Sequence, residues 1–289
     1  MKQNQRLKNL LEKGVFIQAP GAYNALTAKI IEDQGFNTIY ITGYGTSAAN
    51  FGLPDIGLLT MTEMVDNAKR IVDAVEVPVI ADADTGYGNA INITRTVQEY
   101  EKAGVNAIHI EDQTWPKRCG HMMGKQVISQ EEMITKIRAA VDARKNSDFL
   151  IIARTDTLAT DGFKEAINRG KEYHKQGADI IFIEAPRTIN QIKKIPQLLD
   201  DTYLLINMSP RTPRVSIEDL KNFGYSIAIY PGICLAASIL ACIEDLRLLK
   251  NEGTQRDFSD IIQSFSQLNQ FLGLKYYLDL EKKYKNTNE

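Results

Sequence analysis

The residues of this chain that could do chemistry gather in two short stretches. The first is Ala81-Asp82-Ala83-Asp84-Thr85-Gly86-Tyr87-Gly88. Asp82 and Asp84 stand two apart, a spacing that puts both side chains on one side of a strand. Two carboxylates in a dry setting repel, and the repulsion is relieved by protonating one or by binding a cation. A hard, oxygen-preferring ion such as Mg2+ suits them, because it keeps several waters as ligands. Gly86 and Gly88 let the backbone turn tightly behind the pair. The plainer reading of the same residues is a polar strand exit with turn glycines.

The second stretch is His109-Ile110-Glu111-Asp112-Gln113, followed by Lys117-Arg118-Cys119-Gly120-His121. Glu111 ends an apolar run and could reach the same ion through water. Cys119 follows two cations, and positive neighbours lower a thiol's pKa and ready it for proton transfer or nucleophilic attack. Gly120 and Gly124 bracket a loop able to close over a site. Against this stands a solvated basic loop with an incidental cysteine. Cys234 and Cys242 lie among apolar residues and read as core. His109 fits equally a satisfied core imidazole and a support to the groups around it. His174, in a Lys/Glu-rich stretch, reads as solvated, and Trp115 as an apolar anchor for the loop base.

These residues must be positioned by regular elements. Apolar runs rich in β-branched residues predict strands at Phe16-Pro20, Asn37-Thr42, Val77-Asp82, Asn106-Glu111, Phe149-Arg154, Asp179-Glu184, Tyr203-Asn207 and Ser226-Tyr230. Continuous runs such as VPVIADAD and ADIIFIEA suit strands buried on both faces, as in a parallel sheet. Helical spacing fills the gaps, for example over Gln130-Asp142 and Phe163-Gln176, with Gly104 and Gly177 as C-terminal caps. Eight strands alternating with helices over roughly 250 residues predict an α/β fold, a (β/α)8 TIM barrel. The competing open, doubly wound sheet lacks its G-x-G-x-x-G after the first strand. With no Pro/Gly/Ser-rich linker, residues 1–289 read as a single domain that includes C-terminal helices and ends in a polar tail, Lys282-Glu289.

In such a barrel the C-terminal strand ends share one mouth. Here those ends carry Thr42-Gly43, Asp82 with Asp84, Glu111, Arg154, Glu184 and Asn207. Any one of them is ordinary. Six consecutive strands ending in polar groups point to a catalytic site.

Composition removes other classes. With 34 Lys+Arg against 36 Asp+Glu and a net charge of -2, the 289-residue chain is no general binder of nucleic acid. Three unpaired cysteines speak against a disulfide framework and a zinc site. The start, MKQNQRLKNLLEKG, has no apolar core of a secretory signal. The uncharged stretch Asn222-Ile243 contains Tyr230-Pro231-Gly232 and reads as a buried strand, a turn and a buried helix rather than a membrane span. A cytoplasmic protein is expected.

The stretches ITGYGTSAANFGLPD, DADTGYG, HIEDQ, KRCGH, ARTD, IEAP and IYPG occur in this order between about residues 20 and 245. In them the chain resembles the isocitrate lyase/phosphoenolpyruvate mutase superfamily, specifically its 2-methylisocitrate-lyase-like branch, which includes dimethylmalate lyase- and oxaloacetate hydrolase-like members. The resemblance implies a barrel whose final helix swaps between neighbours, commonly in a homotetramer. It implies Mg2+, for which Mn2+ may substitute, on Asp82 and Asp84, with Glu111 bound through water. Thr42, Gly43 and Tyr44 match the segment that binds the α-carboxylate and oxyanion of a 2-oxo or 2-hydroxy acid. Tyr40 and Asp55 match further groups at the substrate. Arg154 would pair with a substrate oxygen, and Glu184 and Asn207 would line the site. Lys117, Cys119, Gly120 and His121 match a gating loop whose Cys donates the proton in lyases; mutases depart from the KRCGH pattern.

The implied activity is Mg2+-dependent cleavage of a C-C bond in a 2-hydroxy acid, leaving a 2-oxo acid and an enolate that needs a proton. Methylisocitrate lyases clamp a remote carboxylate with an Arg shortly after the Tyr-Pro pair and another near the C-terminus. Here the first position is Ala236, and no Arg follows Arg256. Asn207-Met208-Ser209-Pro210-Arg211-Thr212-Pro213 also departs from the family's Glu/Gly-containing version, although Arg211 or Arg214 could compensate. A 2-alkylmalate, or oxaloacetate itself, therefore fits better than a tricarboxylate. The alternatives are oxaloacetate hydrolysis or decarboxylation, a phosphonate-forming mutase, and a catalytically silent barrel that only binds an oxo acid.

Overall fold

A computed structural model describes residues 4–255 and 265–285. Its contacts divide the chain into two units, Met1–Ala237 and Ser238–Glu289. In the first unit, β1 (Ile17–Ala22), β2 (Ile39–Ile41), β3 (Val79–Asp82), β4 (Ala107–Glu111), β5 (Leu150–Thr155), β6 (Ile180–Ile183), β7 (Tyr203–Asn207) and β8 (Ile227–Tyr230) pair in parallel and in sequence order. The sheet closes on itself between β8 and β1, as a (β/α)8 barrel requires.

The strands are buried on both faces, and two apolar layers result. One lies between sheet and outer helices and includes Ile41, Ala81, Ile108, Ile151, Ile181 and Ile206. The other fills the barrel and includes Tyr40, Ile80, Ala107, Ile152, Phe182 and Leu205. Alternation along a strand separates the two sets. The same alternation stacks a polar layer on the inner one. Thr42 follows Tyr40 by two residues, and in the same way Asp82 follows Ile80, Arg154 follows Ile152, Glu184 follows Phe182 and Asn207 follows Leu205. The helix Asn4–Glu12 contributes Leu7 and Leu11, one turn apart, to the inner layer. It closes the end of the barrel opposite the polar mouth, a role its sequence did not announce.

Local signals set the outer helices. Thr60 and Glu63 form a reciprocal cap at the start of Met61–Val72. Gly104 ends Ala90–Ala103 in the left-handed conformation, whereas Gln176 is the cap of Phe163–Lys175 and Gly177 comes one residue later. The uncharged stretch resolves into β8, a turn and the helix Ile233–Glu252, but that helix is not buried as expected. Of its residues only Leu235 is buried, while Ile239, Leu240 and Ile243 are exposed. Cys242 is likewise exposed and is not a core thiol, whereas Cys234 is half-buried and packs against the core as expected. The second unit continues with helices Phe265–Phe271 and Leu274–Lys285. Lys282–Lys285 of the expected polar tail belong to the last of these, and residues 286–289 lie outside the described residues. Among the described residues no helix is long and apolar enough to cross a membrane.

Candidate active site

Every residue singled out at the strand ends faces one mouth. Register places Asp82 beside His109 on β4, and Glu111 beside Arg154 on β5. The Asp82 carboxylate accepts from the backbone N–H of Gly43 (3.2 Å) and of Asp84 (3.0 Å). The second bond turns the chain back on itself, and Asp84 takes a left-handed φ of 47°. The extended spacing that was to put both carboxylates on one side therefore stops at Asp82. Both are nevertheless buried.

Thr42, expected as the last residue of a strand, instead caps a helix. Its Oγ1 accepts from Gly45 N–H (3.0 Å), and Gly43–Phe51 is helical from its first residue. The mouth thus contains a helix N-terminus, where backbone N–H groups and the helix dipole favour an anion. Gly43 is required there: a Cβ on it would lie 2.4 Å from Asp82 Oδ2. The Tyr44 ring is exposed, leaving its backbone at the helix start.

Lys117 is not a solvated loop cation. It is buried, with its ammonium ion-paired to Asp55 and 2.7 Å from Asp84 Oδ1. That Asp84 oxygen makes no hydrogen bond of good geometry, so the contact is chiefly electrostatic. Asp55 also accepts the Cys119 N–H through its backbone oxygen (3.1 Å). Gln113 holds Arg118 by its N–H and its carbonyl (3.0 and 2.8 Å). Gly120 lies so close to the wall of the mouth that a Cβ there would meet Arg154 Nη2 at 2.4 Å and Glu184 Cγ at 2.7 Å. His121 Nε2 is 3.1 Å from Glu184 Oε1. The loop is closed. A void of about 10 Å³ remains between Asp84, Asp55 and Gly43, room for roughly one water.

Arg154 is the hub of the far wall. Its guanidinium binds Asp156 through Nε (2.9 Å) and reaches Glu111 (3.2 Å) and Glu184 (3.5 Å). Its Cζ lies 5.3 Å from the centre of the Phe182 ring, a cation–π contact. Asn207 donates to Glu184. Sequence reasoning missed Asp156 and Lys125. Lys125 Nζ bridges Asp156 (2.6 Å) and the Gly120 carbonyl, tying the loop to the partner of Arg154. The ARTD motif, with Asp156 two residues after Arg154, was the available signal.

The electrostatics are unbalanced. Asp55, Asp82, Asp84, Glu111, Asp156 and Glu184 face three buried cations, Lys117, Lys125 and Arg154. Burial pushes the carboxyls of Asp82, Asp84, Glu111, Asp156 and Glu184 upward, and the charged neighbours either add to that push or reverse it. Asp84 is pushed up to about 7 by burial and by Asp82 and Asp55, against Lys117. Burial, outweighing Arg154, also holds Glu111 well above its usual range. At Asp82 burial is overcome by His109, Lys117 and Arg154, and the group lies low. His109 is neutral, pushed down to about 4 chiefly by burial, and its Nε2 meets the Tyr40 hydroxyl at 2.7 Å and Asp82 at 3.3 Å. It supports Asp82 from inside the barrel. His174 is half-buried and bonded to the Ala178 carbonyl rather than solvated.

Cys119 reverses one expectation. Burial pushes its thiol up, and the His121 backbone, Arg154 and Lys117 do not offset it. Two cations in sequence did not activate it, because one is consumed by Asp55 and Asp84 and the other, Arg118, turns outward to the Met123 carbonyl (3.0 Å). The thiol is neutral at neutral pH, fit to donate a proton rather than to attack.

A hard cation is compatible with this mouth. Glu111 Oε1 is buried with no hydrogen-bond partner, the acidic surplus is uncompensated, and the donors are oxygen. Among the described residues no three carboxylate, His or Cys side chains converge on one point, so an ion here would rely on water for part of its shell.

A closed (β/α)8 barrel with a helix N-terminus, an acidic strand-end cluster and a loop-borne thiol at its mouth has the build of a barrel enzyme with its chemistry at the strand ends. The phosphoenolpyruvate phosphomutase family model matches residues 7–249, and the chain belongs to the phosphoenolpyruvate mutase/isocitrate lyase superfamily. It is 48% identical over 281 residues to a 2,3-dimethylmalate lyase of Eubacterium barkeri, spanning 96% of this chain and 97% of that one. It is 41% identical to a chloroplastic carboxyvinyl-carboxyphosphonate phosphorylmutase of Arabidopsis thaliana, over 97% of this chain and 84% of that one. A 2-methylisocitrate lyase of Aeropyrum pernix is 40% identical over 96% of this chain and 88% of its own. Among solved structures, oxaloacetate acetylhydrolase with 3,3-difluorooxalacetate superposes with a TM-score of 0.94 at 35% identity, covering 98% of this chain and 97% of that one. Phosphonopyruvate hydrolase in complex with oxalate and Mg++ gives 0.90 at 32% identity, covering 98% and 99%. Carbon-carbon lyases of 2-hydroxy acids are thus prominent among its relatives, as the motifs led us to expect.

Proposed function

We propose that this chain is a Mg2+-dependent carbon-carbon lyase that cleaves a 2-hydroxy acid of the alkylmalate type into a 2-oxo acid and a carboxylate. The observation that carries the reading is Cys119, a neutral thiol held on a closed loop above the mouth. The 2-hydroxyl gives up its proton to a base, the C-C bond breaks to leave a 2-oxo acid and an enolate, and this thiol is the acid the loop supplies to protonate the enolate carbon. The N-terminus of Gly43–Phe51 receives the α-carboxylate, and Arg154 pairs with a substrate oxygen. Asp82, Asp84 and, through water, Glu111 would hold Mg2+, which when bound supplies electrostatic stabilisation to the oxygens of the 2-oxo acid. The loop from Lys117 to Gly124 excludes water while the enolate exists. Tyr40 and Asp55 act from behind, the first through His109 and the second through Lys117.

The supporting test is a panel of malate derivatives, 2-methylisocitrate and oxaloacetate, incubated with pure protein and Mg2+ and read as 2-oxo acid or oxalate released. Chelation should abolish turnover and Mg2+ or Mn2+ should restore it; full turnover in excess chelator would remove the metal from the reading. Oxaloacetate hydrolysis is the second reading, favoured by the likeness to oxaloacetate acetylhydrolase. It needs the same anion site but not the thiol. The exposed apolar residues of Ile233–Glu252 support a homotetramer with exchanged C-terminal helices, which light scattering would test. The free thiols support a cytoplasmic location.

A further inference from the structure

The outer flank of the closed loop is not packed. A cavity of about 510 Å³ separates Gly120–Lys125 from Ala159, Ala185 and Arg187. Closure on that side therefore depends on discrete polar contacts, and two of them come from the turn after β7. Ser209 Oγ lies 2.7 Å from His121 Nε2, and Arg211 Nη1 donates to the His121 carbonyl at 2.6 Å. The two hold His121 by side chain and by backbone. The turn is itself braced: Thr212 is buried, with its N–H bonded to the Ser209 carbonyl (3.0 Å) and its hydroxyl to the Asn207 carbonyl (2.8 Å). Among the described residues no carboxylate pairs with Arg211, so its guanidinium is committed to the loop.

We propose that the turn Asn207–Pro213 is the latch of the active-site loop, with Ser209 and Arg211 as positioning residues that act through His121. Breaking the latch lets the loop open, which exposes Cys119 and lowers the closed fraction available for turnover. The effect falls on every substrate alike, because neither residue is asked to touch one. The proposal rests on reading this loop as the cover of the active site, but its first test needs no turnover.

The full-length protein without substrate is alkylated with iodoacetamide, and Cys119 is followed on the tryptic peptide Cys119–Lys125, which excludes Cys234 and Cys242. Arg211→Ala should raise the alkylation rate about tenfold, the scale of one lost charge-assisted hydrogen bond, and Ser209→Ala should raise it in the same direction. Arg211→Lys, which keeps a donor for the His121 carbonyl, should stay near the parent. Rates taken across pH separate opening, which multiplies all of them equally, from a shift of the thiol's pKa, which moves the profile. In turnover, kcat/KM should fall by a similar factor for substrates with and without a remote carboxylate. Unchanged alkylation in the Ser209→Ala/Arg211→Ala double variant overturns the latch. A loss confined to substrates with a remote carboxylate, at unchanged alkylation, overturns it too and makes Arg211 a substrate clamp. If no lyase substrate is found, the alkylation rates still decide the question.

Discussion

Cys119 illustrates how far a side chain's chemistry depends on where its neighbours spend their charge. In sequence it follows Lys117 and Arg118; in space Lys117 belongs to Asp55 and Asp84, and Arg118 to a carbonyl. The result is a raised thiol pKa, caused first by burial. A proton donor of this kind is active when protonated, so activity is complete below its pKa and lost as pH rises through it. Because the pKa stands above the ordinary 9.0, the alkaline limb of kcat/KM should lie above pH 9. Cys119→Ser should lose on the order of 10²-fold in kcat for the lyase reaction, the usual scale for a general acid, and its alkaline limb should disappear. Oxalate binding, followed by calorimetry, should persist. An unchanged kcat would return Cys119 to an incidental loop cysteine and favour the hydrolase reading.

At the scale of elements, the anion site we propose lies at the β2-to-helix junction rather than in a flexible loop. Thr42 caps the helix, Gly43 allows Asp82 to approach its backbone, and Asp82 in turn fixes the turn at Asp84. One alanine should separate these roles. Gly43→Ala would place a methyl 2.4 Å from Asp82 Oδ2, so the Asp82 carboxylate would have to shift away from the helix start. Oxalate affinity in the presence of Mg2+ should fall at least about tenfold, while far-UV circular dichroism stays that of the parent. Wild-type affinity in this variant would mean that the helix start is not where the anion binds. The specificity of the mouth is decided at the same scale. Ala236 offers no guanidinium, and Arg211 is bonded to His121. A remote third carboxylate would enter without a bidentate partner, and a buried unpaired carboxylate costs several kcal/mol. A 2-alkylmalate or oxaloacetate should therefore be turned over with at least about tenfold higher kcat/KM than 2-methylisocitrate, compared as pure stereoisomers at equal Mg2+. The reverse order would show that the third carboxylate has a partner, with Arg211 and Arg214 the first to replace.

For the whole barrel, the polar mouth is carried by an apolar filling that the helix Asn4–Glu12 completes from below. Leu7 is fully buried among barrel residues. Leu7→Ala should cost about 2–5 kcal/mol, the range for truncating a buried leucine, and lower Tm. Since the cavity forms at the far end from the mouth, kcat at a temperature where the variant is folded should change little. A Tm equal to the parent's would show that this helix is not part of the cooperative barrel.

The sequence by itself determined the barrel: eight β-branched runs, each alternating with helical spacing, left few other ways to bury both faces of every strand. It also placed the site, because strand ends carrying Asp82, Glu111, Arg154, Glu184 and Asn207 can meet only at one mouth once the sheet closes. What it did not determine were properties that depend on distances between segments. The neutrality of Cys119, the burial of Lys117 and the junction of Lys125 with Asp156 arise from groups 31 to 62 residues apart. The exposure of Ile239, Leu240 and Ile243 was hidden for a related reason: an apolar run reads the same whether its own chain covers it or not. Periodicity fixes which side of an element a residue occupies, and only the tertiary structure brings the charges together that set its pKa and its partners.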